Sequence, residues 1–250
     1  MTAVIFENVS KFYDTVPALD GVSFGIAEGA ICGLLGANGA GKTTALRLMI
    51  GLIRADRGLV RILGCAPSLQ TARSIGYLPE ERGLYGRMSV EDNLLFFGEL
   101  RGMSRHEARS AATAALKRFR LDDHRLKCTK DLSKGLAQRA QLALLFMSRP
   151  RLLVLDEPFS GLDPVCQQEI EHLLKEIAAE GVTILFSTHE MAQAQRLCDS
   201  LVLLAAGQVR FTGSVREAIT GASDATGKMH QDLHSAFLHF ADQIPLEAKS

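Results

Sequence analysis

Gly36-Ala37-Asn38-Gly39-Ala40-Gly41-Lys42-Thr43 is the stretch that decides the reading of this chain. It matches G-x-x-x-x-G-K-[ST] in full. Upstream, Ile31 to Leu35 is a short apolar run ending in glycine. Downstream, a helical pattern begins at Lys42 and continues through Leu46 and Met49 to Gly51. Strand, glycine loop and helix in that order form a phosphate-binding loop. Its glycines let consecutive backbone N–H groups turn inward toward phosphate oxygens, and the helix start adds its positive dipole end. Lys42 then reaches the β and γ phosphates of a nucleotide, and the Thr43 hydroxyl ligates Mg²⁺.

Working outward, Val4 to Val9 and Val22 to Ile26 alternate apolar with polar residues, with Asp20-Gly21 as a turn before the second, so an antiparallel preface is expected. Strands are also expected over Leu59 to Leu63 and Ser74 to Leu78. From Ser89 to Arg118 the period becomes helical, with Ser89 to Asp92 and Ser104 to Glu107 as capping patterns. Arg151 to Leu155 and Val182 to Phe186 are continuous apolar runs separated by an amphipathic helix, Val165 to Ala179, which fits buried parallel strands joined by a crossover helix. Leu201 to Leu204 and Val209 to Thr212 flank Ala206-Gly207 as a hairpin. The fold class is therefore α/β: a phosphate-loop NTPase core, an antiparallel β subdomain and an inserted α-helical subdomain. Residues 1–220 are read as one ATP-binding domain, with helical insertion at about 88–148, and residues 221–250 as a partly helical tail.

The apolar run Leu152-Leu153-Val154-Leu155 delivers two carboxylates, Asp156 and Glu157, beside the phosphate loop if the sheet is parallel. Asp156 would hold Mg²⁺ through water, and Glu157 would polarise the attacking water. An acidic pair before Pro158 also suits a helix N-terminus. His189, after the second buried run, lies at a strand's carboxyl end, where an imidazole can bond the γ phosphate; a single histidine there also serves as a helix-start residue.

Composition narrows the field. At 250 residues with 47% apolar and 22% charged residues, the chain can bury a full core. Its 28 basic and 28 acidic residues cancel, so no overall field draws it to nucleic acid, and no nucleic acid partner is expected. Five scattered cysteines with no C-x-x-C pair suit reduced thiols in a cytosolic protein. The longest apolar runs, such as Leu142 to Met147, fall far short of the roughly 18 residues a bilayer crossing needs, and no export signal is visible. In the tail, His230 and His234 share a helical face but His239 does not, which disfavours a three-histidine metal site; Leu233, Phe237 and Phe240 suggest a packed amphipathic helix.

Over about residues 3 to 220 these motifs resemble the nucleotide-binding subunit of an ATP-binding cassette (ABC) transporter, most nearly an exporter. The resemblance implies nucleotide contacts through Tyr13, stacked on adenine, and through Gly36, Ala37, Asn38, Gly39, Ala40, Gly41, Lys42, Thr43 and Thr44. As a residue, Tyr13 also reads as a strand-edge aromatic. Leu132-Ser133-Lys134-Gly135-Leu136 is similar to the family signature L-S-G-G-Q, so Ser133, Lys134 and Gly135 would contact ATP held by an opposite subunit. Ser160-Gly161-Leu162-Asp163 resembles the loop that crosses that interface. The resemblance thus implies a homodimer enclosing two ATP molecules, integral membrane permease subunits as partners, and a place on the cytoplasmic face of the membrane. The competing reading is a soluble ABC ATPase that regulates, assembles or remodels nucleic acid or ribosomes. Two departures stand out: Glu80 where the family usually has the Mg²⁺-facing Gln, and Lys134 for the first signature glycine, with Leu136 for its Gln. Each ATP of a homodimer would face one acidic and one basic substitution, so the two are either adjusted to one another or the product of independent drift at tolerant positions.

Overall fold

The computed structural model describes residues 1–81, 83–226 and 232–242. In chain order, β1 (Thr2–Tyr13), β2 (Val16–Ala27) and β3 (Ile31–Leu35) lead into α1 (Lys42–Met49), β4 (Arg57–Ile62), the short α2 (Leu69–Ala72) and β5 (Ile75–Leu78). Three helices follow, α3 (Val90–Leu100), α4 (Arg105–Arg118) and α5 (Lys134–Met147). The chain then returns as β6 (Leu152–Asp156), α6 (Pro164–Ala179), β7 (Thr183–Thr188), α7 (Met191–Leu197), β8 (Ser200–Ala205) and β9 (Gln208–Gly213), and ends in α8 (Val215–Thr226) and α9 (Leu233–Asp242).

Two sheets result. The antiparallel one has the order β2-β1-β4, and the larger one runs β5-β6-β7-β3-β8-β9, parallel except for its β9 edge. In the first, Phe6 pairs with Phe24 and their rings stack with centroids 4.5 Å apart. Both strands of that ladder extend beyond the alternating segments that predict them: Thr2, Tyr13, Val16 and Pro17 at the ends are exposed and pair through backbone, while Ala3, Ser10 and Leu19 add buried positions.

Every residue of β3, β6 and β7 is buried, as parallel strands covered on both faces require. Period-2 alternation assigns the faces. Leu153 and Leu155 join Ile184 and Phe186 in the core beneath α5 and α6, whereas Leu152, Val154 and Leu185 join Leu46 and Met49 of α1 and the antiparallel sheet. The parallel sheet is thus the shared wall of two cores, and its carboxyl ends emerge where they meet.

The helical stretch divides at residues 101–104, where Gly102 takes φ +91°. Ser89 accepts from Asp92 N at 3.0 Å, and Ser104 and Glu107 form a reciprocal capping box. Ala206 and Gly207, both at positive φ, close the β8–β9 hairpin. At the end of the chain α8 runs through residues 220 and 221, and α9 buries Leu233 and Ala236. Leu233 joins the small core of Met191 and Ala194 on α7, and its N–H donates to Gln195 Oε1 at 3.0 Å. His234 is exposed; His230 lies outside the described residues, as do the side chains of His239 and Phe240. Among the described residues no trio of His, Cys, Asp or Glu could hold a metal ion, and no helix is long and apolar enough to cross a membrane.

Candidate functional site

The loop that follows β3 leaves the middle of the parallel sheet, between β7 and β8. It enters α1 through Gly41, at φ +103°, with no side chain capping the helix start. A Cβ at Gly41 would stand 2.5 Å from the Ala18 carbonyl oxygen and 2.7 Å from Leu19 Cδ2, so both the backbone angle and the space demand glycine. The open N–H groups of the first turn form an anion site. The Lys42 ammonium folds back over it, donating to Gly36 O at 2.8 Å and to Ala37 O at 3.3 Å.

Opposite this loop stand the ends of β6 and β7. Their register pairs Asp156 with Ser187. The Ser187 hydroxyl donates to Asp156 Oδ1 at 2.6 Å and accepts the Glu157 N–H at 2.9 Å. Glu157 leaves the ladder in the left-handed region, φ +47°, which an L side chain other than Asn or Asp rarely adopts. That turn directs its carboxylate sideways: Oε1 lies 3.0 Å from His189 Nδ1 and 3.7 Å from Lys42 Nζ. A carboxylate only accepts, so the proton of this bond sits on Nδ1. Thr188 Oγ1 accepts the Glu190 N–H and contacts Gln193 Oε1, each at 3.0 Å, and Gln193 Nε2 donates to Glu190 Oε2 at 2.7 Å, which fixes the start of α7 beside the histidine.

A cleft of about 390 Å³ opens between these elements. Asn38, Gly39, Ala40, Gly41, Lys42, Thr43 and Thr44 form one side, Glu80, Asp156, Glu157 and His189 another, and Tyr13, 44% exposed, the mouth. Gly36 and Ala37 contribute the carbonyls that hold Lys42. Among the described residues three carboxylates and one lysine line the cleft, a balance that favours a bound polyphosphate only with added positive charge. The donor set fits Mg²⁺, which takes one or two carboxylates together with phosphate oxygens and water: Asp156 has one oxygen occupied by Ser187, and the Thr43 hydroxyl lines the same cleft. Tyr77, behind this wall, has its hydroxyl pKa raised by burial and then by the Asp156 carboxylate.

Ser133, Lys134 and Gly135 are not in this cleft. Ser133 is exposed and caps α5, accepting the Leu136 N–H at 3.3 Å. Gly135 is pressed against α6: a Cβ there would overlap Cys166 Sγ and stand 3.0 Å from Cys166 Cβ. The Lys134 ammonium lies over Gly161 and lines a second cavity, about 400 Å³, with Glu80, Glu81, Gln141, Asp156 and Glu157. Sequence reasoning passed over Ser187, Gln193 and Cys166. A hydroxyl closing the apolar run Val182 to Phe186 was the available signal for the first; the others depend on tertiary packing.

A family model described as ABC transporter matches residues 19–160. The chain is 38% identical over 238 residues to the uncharacterized ABC transporter ATP-binding protein YhaQ of Bacillus subtilis, covering 95% of this chain and 80% of that one. It is 39% identical over 210 residues to the Nod factor export ATP-binding protein I of Rhizobium meliloti, covering 82% of this chain and 62% of the relative. Among solved structures, the dimeric post-hydrolysis state of the ATP-binding cassette MJ0796 bound to ADP and Pi superposes with a TM-score of 0.75 at 26% identity, covering 84% of this chain and 98% of the other.

Proposed function

This chain belongs to the ABC transporter family as an ATP-binding subunit, a family of ATPases, and we propose that it works as a head-to-tail homodimer whose ATP turnover drives export through a separately encoded membrane subunit. One observation carries the dimer: Lys42, Glu157 and His189 converge on one cleft, while Ser133 presents an exposed helix start outside it. A second copy supplies that helix start to the γ phosphate, and the dimeric MJ0796 cassette with ADP and Pi supports the arrangement.

Within the cleft, Lys42 exchanges the Gly36 and Ala37 carbonyls for β and γ phosphate oxygens. Gly36 to Thr44 wrap the phosphates, and Tyr13 stacks on the adenine. Thr43, Asp156 and Glu80 hold Mg²⁺, which supplies charge neutralisation to the phosphates. Glu157 accepts a proton from, or orients, the attacking water, and His189 holds the Glu157 carboxylate and reaches the γ phosphate. Ser133, Lys134 and Gly135 complete the enclosure from the partner.

The export reading leans on the similarity to a Nod factor export ATP-binding protein, and places the chain on the cytoplasmic face of the membrane against permease subunits. Balanced charge, 28 basic against 28 acidic residues, weighs against a nucleic-acid or ribosome factor.

The test is Glu157→Gln. With saturating ATP it is expected to run at dimer mass by light scattering while losing most turnover. A monomer, or undiminished turnover, would overturn the composite site. Tagged chain recovered from solubilised membranes should bring an integral membrane protein; ribosomal proteins or nucleic acid in its place would favour the soluble reading.

A further inference from the structure

We propose that Ser187 is a positioning residue for ATP hydrolysis, holding the Asp156-Glu157 pair in its working geometry. The proposal rests on the roles given above to those two carboxylates.

Parallel register places Ser187 beside Asp156 at the last rung of the β6–β7 ladder. One rung further, the chain of β6 has no partner strand, and the Glu157 N–H would be left without an acceptor in a part-buried setting. The Ser187 hydroxyl takes that N–H at 2.9 Å. Its own proton goes to Asp156 Oδ1 at 2.6 Å, the short distance of an O–H donor to an ionised carboxylate. A hydroxyl has one proton and two lone pairs, so this single group is able to serve as donor to one residue and acceptor to the next. Valine or alanine at the same rung serves neither.

The second contact matters because of where Glu157 sits. At φ +47° its backbone is in a region that strains a glutamate, and such residues persist only where their surroundings hold them. The bond to Ser187 fixes the Glu157 amide plane in that orientation. Extended backbone at residue 157 would continue the strand's alternation and send the side chain to the sheet face opposite that of Asp156; with the left-handed backbone the carboxylate lies 3.0 Å from His189 Nδ1 and 3.7 Å from Lys42 Nζ. Ser187 is fully buried and does not line the cleft, so it touches no nucleotide. Its influence passes through Asp156 and Glu157.

The experiment compares Ser187→Ala, Ser187→Thr and Ser187→Cys in the full chain, with Glu157→Gln as control. Ser187→Ala is expected to lower kcat about tenfold or more with the KM for ATP changed less than about twofold, because Ser187 itself makes no contact with the nucleotide and Lys42 and the phosphate loop are untouched. Ser187→Thr keeps the hydroxyl and should return kcat to within about threefold of the parent; Ser187→Cys, with a weak donor, should fall between. A kcat for Ser187→Ala within about twofold of the parent, equal losses for Ala and Thr, or a rise in KM at unchanged kcat would each overturn the proposal. If the alanine variant does not fold, the Thr and Cys pair decides, with equal kcat values counting against. Undiminished turnover in Glu157→Gln would instead refute the reading of the carboxylates on which the proposal stands.

Discussion

Gly135→Ala isolates one physical reason for a glycine in the signature loop. Position 135 lies in the first turn of α5, where alanine is favoured over glycine by about 1 kcal/mol in helix propensity. Against this stands Cys166 on α6, whose Sγ a new Cβ would overlap and whose own Cβ it would approach to 3.0 Å. Overpacking of this kind costs about 1–3 kcal/mol, and relief by rotating Cys166 is limited, since one of its three staggered rotamers is rare in a helix. The sum is a net loss of about 0–2 kcal/mol for Gly135→Ala alone. Cys166→Ala removes the overlapping sulfur but not the Cβ. Combined with Gly135→Ala it should recover most of the packing term and leave the propensity gain, a coupling of about 1–2 kcal/mol. Urea unfolding of the four proteins, read as midpoint and slope, measures this cycle. Additivity within about 0.5 kcal/mol would refute the packing argument, and the glycine would then be required for another reason, such as backbone approach to a partner's nucleotide.

Thiol labelling should follow burial: Cys65, exposed, reacts first in the native chain, whereas Cys32, buried and with its pKa pushed up to about 12 by that burial, stays silent until the chain is denatured. Native-state modification of Cys32, located by peptide mapping, would contradict this. Acid should destabilise the fold through its capping carboxylates. Asp163 is held below its ordinary 3.8 by the Cys166 N–H, Glu107 below 4.5 by Ser104, and Glu217 below 4.5 by the Ser214 N–H. Lowered folded values mean that their contribution is present above the unfolded values and is lost as pH falls through the folded ones, so urea midpoints should hold from neutrality to about pH 5 and drop below about pH 4. Asn is an equally good N-cap that does not titrate, so Asp163→Asn should leave the neutral midpoint nearly unchanged and flatten the acid limb; an unaltered limb would exclude Asp163.

Local signals made much of this fold legible. The phosphate loop, the runs Leu152 to Leu155 and Val182 to Phe186, and the caps at Ser89 and Ser104 each depend on neighbours within a few residues. What was not legible depends on register and packing. Helix α7 has only seven residues, too short for a periodic pattern to stand out after His189. The tail carries a weak helical signal by itself, yet α9 is placed by burying Leu233 against α7, a contact thirty-eight positions from its hydrogen-bond partner Gln195. Ser187 reads as one more polar residue after an apolar run until the pairing with Asp156 is known.

Glu80 and Lys134 make the same point about charge. As sequence, they are two departures from a family pattern, and their compensation is expected to run between the subunits of a dimer. In the structure both side chains line one cavity of a single chain, together with Glu81, Asp156 and Glu157. Among the described residues that line it, four carboxylates accompany one ammonium, that of Lys134. Glycine at 134 would remove the one ammonium among those described lining residues; glutamine at 80 would lessen the field to which Lys134 responds. The two departures therefore meet in one cavity of a single chain.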